Sequence, residues 1–235
     1  MNRVLKIAEP CALLLVPAGL SICAFLRVEH TALLSVLMVL IALVPFFLRF
    51  ERQRPRPRDV MPVVVLAAIA AAGRVVFAAF PNVKPVTAIV IVAAVCFGRQ
   101  TGFLTGALAA LASNLFFGQG PWTPWQMYAW GLIGFAAGWI AEHGGLKSTL
   151  AACVFGFCSA LFYGVVLDSW VALGGFFSST ESSIWAIYLA GLPHSLVHAV
   201  STTAFLALIY RPWEKKLDRV KQKYGINDPQ RGSVQ

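Results

Sequence analysis

Amide and indole side chains are concentrated in one short stretch of the sequence, residues 113–127. The stretch contains Asn114, Gln119, Trp122, Trp125 and Gln126. Amides both donate and accept hydrogen bonds, and indole rings favour the boundary between water and lipid. Two prolines and two glycines interrupt the stretch, so it cannot form one straight helix. A kinked loop of this kind between two apolar runs is suited to binding a small molecule, and an ordinary helix connection with an aromatic belt is the alternative.

Arg74 is a second candidate, because it is a charged residue inside an apolar run. An arginine near the centre of a membrane helix costs about 2.5–3.5 kcal/mol. Its side chain must therefore face a polar cavity, pair with an acid or reach the membrane surface. The turn at residues 80–85 follows and carries Asn82 and Lys84. These residues join the predicted binding set.

His194 and His198 are four residues apart, so a helix presents them on one face. With Glu181 they could serve an intramembrane metallohydrolase, and Ser113 with a histidine could serve a serine hydrolase. The sequence contains neither HExxH nor GxSxG, which argues against both hydrolases. Hydrogen bonding to a neighbouring helix is the more common role of a histidine inside a membrane.

The composition is that of a membrane protein with several spans. Apolar residues make up 58% of the 235 residues, charged residues only 12%, and the mean hydropathy is +0.73. Soluble domains carry about 25% charged residues. The net charge of +9 comes from basic residues near the ends of apolar runs, which indicates membrane orientation rather than nucleic-acid binding. Five cysteines lie in apolar runs without a CxxC pair, so we interpret them as apolar filling and predict no metal site.

The apolar runs predict an all-α bundle of about eight membrane helices. The expected spans are residues 4–26, 31–50, 60–80, 86–98, 103–117, 125–141, 148–167 and 184–210. We divide the chain into two N-terminal helices (1–50), a basic linker (51–59), a six-helix core (60–212) and a basic tail (213–235). The positive-inside rule places both termini, the linker and the tail in the cytoplasm of a cell-membrane protein. It also places residues 80–85, 113–127 and 168–183 together on the outer face.

The third predicted span carries alanines one helical turn apart. Ala67 pairs with Ala71, and Ala68 pairs with Ala72. Small residues at this spacing let two helices approach closely in lipid. Packing inside the bundle and docking of another membrane protein are both open explanations. A membrane scaffold would explain these faces, but it would not explain the amide-rich aromatic loop.

Two long strings resemble the substrate-specific S component of energy-coupling factor (ECF) transporters. They are GRVVFAAFPNVKPVTAIVI and GFLTGALAALASNLFFGQGPWTPWQM, and the preceding RFERQRPRPRD resembles the linker of a subgroup with two extra leading helices. The resemblance implies a six-helix core that binds a vitamin near the outer surface. It also implies a membrane coupling protein (the T component) and two ATPases as partners. ATP is then used by those partners, and the chain itself hydrolyses nothing and holds no permanent cofactor. The alanine pairs would dock the coupling protein.

Within the family, the chain looks most like the cobalamin-type S components. The amides of Asn82, Asn114, Gln119 and Gln126 would then meet the amide arms of a corrinoid, and Trp122 and Trp125 would cover its ring. Imidazole can coordinate cobalt, which gives His194 and His198 a second explanation beside helix–helix hydrogen bonding. Another vitamin, such as riboflavin or a queuosine precursor, is the alternative substrate. The expected binding residues are Arg74, Asn82, Lys84, Asn114, Gln119, Trp122, Trp125, Gln126 and His194.

Overall fold

The computed structural model describes residues 31–52, 56–173 and 181–226. Within these residues the chain is helical, without strands, so the predicted all-α class is confirmed. The helices are α1 (Thr31–Arg52), α2 (Pro57–Val76), α3 (Val86–Phe97), α4 (Arg99–Phe117), α5 (Trp122–Glu142), α6 (Thr149–Leu173) and α7 (Glu181–Tyr224). The predicted span 4–26 lies outside the described residues, as do parts of the linker, of the 168–183 loop and of the tail.

Several helices in the described residues are suited to crossing a membrane. Three segments are long and apolar enough by length and composition: Pro57–Val76, Thr149–Ala172 and Ile184–Tyr224. The apolar helix α3 has only 12 residues, so it is about 18 Å long and shorter than the hydrocarbon layer. It is nevertheless the central helix, because it contacts α2, α4, α5, α6 and α7, and eleven of its residues are buried.

The last helix is much longer than its predicted span of 184–210. α7 continues through Pro193 and Pro212 and ends at Tyr224. The predicted basic tail is therefore helical over residues 213–224. Arg211 helps to hold this continuation, because its guanidinium donates to the Lys147 carbonyl and pairs with Glu214 at 2.9 Å.

Helices α4 and α5 pack with their backbones in direct contact. A side chain added at Gly134 would overlap the backbone of Gly102, and one added at Gly106 would overlap the backbone of Trp130. The glycines of these two helices therefore serve packing within the bundle. The break between the two helices is short, because residues 118–121 form the connection and Pro124 lies in the first turn of α5. The helix starts at Trp122, three residues before the predicted span.

The first described helix packs on the outside of this pair. The ring of Phe46 on α1 stacks on Phe103 of α4 with a centroid distance of 3.9 Å. Phe46 also meets Phe135 of α5 edge to face, with a centroid distance of 5.4 Å. Aromatic contacts thus attach α1, one of the two predicted N-terminal helices, to the predicted core.

The two alanine pairs of α2 face in different directions. Ala67 and Ala71 are 4% and 5% exposed, and they pack inside the bundle. Ala68 and Ala72 are exposed on an adjacent face of the helix. Of these four alanines, only Ala68 and Ala72 are left exposed by the described part of the chain.

Candidate functional site

Arg74 occupies a polar site within the membrane bundle. Its Nη1 donates to Ser113 Oγ at 2.7 Å and to Asn114 Oδ1 at 2.8 Å. Its guanidinium also lies over the rings of Phe117 and Trp130, at 4.8 and 5.3 Å from their centroids. Hydrogen bonds and ring contacts both favour a desolvated guanidinium, and no acid among the described residues forms an ion pair with it.

Asn114 connects this arginine to the first turn of α5. It is 1% exposed, and its Nδ2 donates to Thr123 Oγ1 at 2.9 Å and to Gln126 Oε1 at 2.8 Å. Thr123 in turn donates to Gln119 Oε1 at 2.9 Å. The amides of the 113–127 stretch therefore form one network with Arg74, and this network fixes the bend between α4 and α5.

A second network joins α3, α5 and α7. Trp130 Nε1 donates to Thr87 Oγ1 at 3.0 Å, and the same hydroxyl lies 3.0 Å from His198 Nε2. His198 Nδ1 lies 3.2 Å from the carbonyl oxygen of Asn82. A carbonyl only accepts, so Nδ1 carries the proton, and Nε2 accepts from the Thr87 hydroxyl. Both nitrogens of His198 are engaged, which is the helix-to-helix role that the sequence favoured.

Between these networks lies a cavity of about 370 Å³. Arg74, Gln126 and Trp130 form one side of it, and residues of α6 and α7 form the other. The full lining is Arg74, Asn82, Lys84, Gln126, Trp130, Ala160, Tyr163, Gly164, Leu167, Asp168, Gly191, His194, Ser195 and His198. The cavity thus combines aromatic walls with charged and amide groups.

Trp130 and Tyr163 form the aromatic part of the cavity. Their rings are stacked with a centroid distance of 4.5 Å, and the Tyr163 ring lies 5.5 Å from that of His198. The Tyr163 side chain is also a hydrogen-bond partner of Gln126. A planar ligand in the cavity would meet rings that are already fixed in orientation.

Polar groups lie at the ends of helices around the cavity. Lys84 Nζ donates to the Phe77 carbonyl and, at 2.9 Å, to the Phe80 carbonyl. It thereby caps carbonyl groups of the turn that follows the C-terminal end of α2. Burial and then the charge of Arg74 lower the pKa of Lys84. Asp168 on α6 packs directly against Gly191 on α7, where any added side chain would overlap its carboxylate. Small residues on α7 therefore make room for this acid.

The structure brings together some of the predicted binding residues and separates others. Arg74, Asn82, Lys84, Gln126 and His194 line the cavity. Asn114 lies behind them as the centre of the amide network. The remaining three residues do not line the cavity: Trp125 is buried against Trp170, and Gln119 and Trp122 are exposed.

The sequence reasoning missed several residues of the site, and four of them carry aromatic or polar groups that a ligand or the networks could use. Thr87, Trp130, Tyr163 and Asp168 lie in or near it. The first three stand inside apolar runs, where they resemble ordinary packing residues. Asp168 carried the only signal that could have been used, since it is an acid at the end of an apolar helix. The described residues contain no group of three or more metal-ligating side chains.

Comparison with known proteins identifies the family. A family model described as "ECF-type riboflavin transporter, S component" matches residues 57–215. No curated protein and no solved structure matches the chain. The match does not confirm the cobalamin-type subgroup.

S components of these transporters are the substrate-binding membrane subunits, and they work with a T component and ATPases. The matched region covers α2 to the start of the α7 continuation, more than half of the chain. The chain therefore belongs to the family of S components of ECF-type transporters.

Proposed function

We propose that this chain captures a vitamin in the cavity beside Arg74, and that riboflavin is the first candidate. The observation that carries the proposal is the fixed guanidinium of Arg74 at the wall of a cavity that also contains the Trp130–Tyr163 stack. The cavity volume of about 370 Å³ lies at the small end of the range for ligand pockets, about 300–1,000 Å³.

The chemistry of a flavin fits these groups. Both protons of Arg74 Nη1 are used by Ser113 and Asn114, and no hydrogen bond within the described residues uses its Nε or Nη2 protons, which can therefore donate to ring carbonyls. Gln126 offers an amide to the imide edge, and Trp130 offers a ring to the flat face. The polyhydroxyl chain would point to the mouth, where Asp168 can accept hydrogen bonds. Each contact is a role that these side chains play in small-molecule sites.

A corrinoid is the second candidate, and His194 is the observation that favours it. His194 is exposed at the edge of the cavity, and its Nδ1 makes one long contact with the Ala190 carbonyl, at 3.4 Å. Its Nε2 has no hydrogen-bond partner among the described residues, so it can coordinate cobalt. His198 cannot do so without losing both of its hydrogen bonds. A corrinoid is too large for the cavity and would lie across its mouth.

Delivery inward requires a docking surface for the coupling protein. We propose that the exposed pair Ala68 and Ala72 provides it, because small residues one turn apart allow close helix contact. In this proposal Ala67 and Ala71 pack inside the bundle and do not contact the coupling protein. The positive-inside rule supports an outward-facing cavity, with the coupling protein and ATPases acting from the basic side.

The test is mass spectrometry, with an absorption spectrum, on the detergent-purified chain before and after incubation with a vitamin panel. We expect one bound flavin per chain, and we expect Arg74→Gln to lose it. Lys147→Gln is the matched control, because Lys147 is exposed in the connection between α5 and α6. A bound corrinoid would move the assignment to the second candidate. Absence of any bound vitamin would refute the proposal.

A further inference from the structure

The continuation of α7, residues 213–226, packs across the end of the bundle where α2 begins and α3 ends. Lys221 Nζ donates to the carbonyl of Cys96, at the end of α3, with a distance of 2.8 Å. Ile226 is 5% exposed and belongs to the same buried cluster as Leu66 of α2. Residues 213–226 are therefore attached to the ends of α2 and α3.

This arrangement leaves a groove of about 520 Å³ between α2 and the continuation of α7. On the α2 side, Met61, Val65 and Ile69 are 62%, 47% and 40% exposed. On the α7 side, Val220 and Tyr224 are 38% and 56% exposed. These side chains give the groove an apolar lining that the described part of the chain leaves open.

The same groove also carries positive charge. Arg58 and Lys216 are among its lining residues. The Nε of Arg58 is buried and has no hydrogen-bond partner in the part of the chain that the structure describes. Residues 211–224 add to this field, because they contain six basic and only two acidic side chains. A buried donor without a partner among these residues leaves a hydrogen bond that a bound acceptor can supply.

We propose that this groove binds one anionic phospholipid, with its phosphate at Arg58 and Lys216 and an acyl chain along α2. The groove-lining face of α2 runs from Arg58 to Ile69, which is about 16 Å along a helix. Half of a hydrocarbon layer is about 15 Å thick. Basic residues beside the membrane attract anionic headgroups, and a basic amphipathic helix lies at that surface. The site is distinct from the vitamin cavity and does not depend on the proposed substrate.

The test is native mass spectrometry of the full chain with phosphatidylglycerol or with phosphatidylcholine of the same acyl chains. We expect one phosphatidylglycerol to be retained in preference to phosphatidylcholine. Arg58→Gln combined with Lys216→Gln should weaken its binding about thirtyfold, about fivefold for each charge removed. Lys215→Gln combined with Arg219→Gln is the matched control, because both side chains are exposed and lie outside the groove lining. The control removes the same number of charges outside the groove lining, so it should weaken binding much less than the groove variant does.

A second measurement detects the lipid by fluorescence in protein that keeps both Arg58 and Lys216. Trp213 lines the groove, so phosphatidylglycerol with brominated chains should quench its fluorescence. The contribution of Trp213 is the quenching seen in the wild type minus the quenching seen in Trp213→Phe. Equal retention of both lipids, or equal loss in the groove and control variants, would overturn the proposal. If the groove variant retained the lipid but lost a copurifying coupling protein, the groove would be a site for a protein helix, and the lipid proposal would be overturned.

Discussion

Replacing Asn114 with leucine should loosen the bend between α4 and α5. The substitution keeps the approximate side-chain volume but removes hydrogen bonds to Arg74, Thr123 and Gln126. A hydrogen bond to a charged group contributes about 1.5–3 kcal/mol and a neutral one about 0.5–1.5 kcal/mol. Arg74 keeps Ser113 as a partner, so we expect a net loss of about 3 kcal/mol in the free energy of unfolding.

Thermal unfolding of the detergent-purified protein measures this loss. For a chain of this size, 1 kcal/mol corresponds to about 2–4 °C in Tm, so Asn114→Leu should lower Tm by about 6–12 °C. Gln119→Leu is the matched control, because Gln119 is exposed at the edge of the same network and should change Tm little. Vitamin binding should weaken in Asn114→Leu, since Arg74 loses one of its two fixed acceptors. If the two variants melt together and bind equally, the network does not position Arg74.

Three further predictions concern packing and recognition. Ala72→Leu should impair association with the coupling protein while leaving Tm and vitamin binding intact. The neighbouring Ala71→Leu should instead lower Tm, because overpacking a buried site costs about 1–3 kcal/mol. Normal copurification of the coupling protein with Ala72→Leu would contradict the docking role. Gly134→Val should destabilise the fold, since its side chain would overlap the α4 backbone, and an unchanged melting curve would exclude that close contact. His198→Ala should lower Tm and His194→Ala should not, because the buried ring of His198 makes two hydrogen bonds and the ring of His194 is exposed. Differential scanning fluorimetry on both variants measures this, and a lower Tm for His194→Ala than for His198→Ala would contradict it.

The sequence predicted the class of the fold and most helices because both depend on the length of apolar runs. It also predicted that Arg74 needs a polar surrounding, since the cost of an intramembrane charge is independent of the fold. It could not choose between the alanine pairs of α2. Residues next to one another in a helix point in different directions, and apolar neighbours on all sides of α2 hide which direction is inward.

The aromatic residues of the site show a different limit. Trp122 and Trp125 stand out in the sequence because prolines and amides surround them, yet neither lines the cavity. Trp130 and Tyr163 come from two helices and become a site only by stacking on each other. The same holds for the groove at the basic end, because the sequence does not reveal that α7 continues past Pro212 and packs beside α2.

The most direct test of the account is a binding titration of the purified chain with the vitamin that it retains, repeated with Arg74→Gln. We expect saturable binding of one vitamin per chain in the wild type and in the Lys147→Gln control, and loss of binding in Arg74→Gln. Binding that is unaffected by Arg74→Gln would place the substrate elsewhere and contradict the central claim.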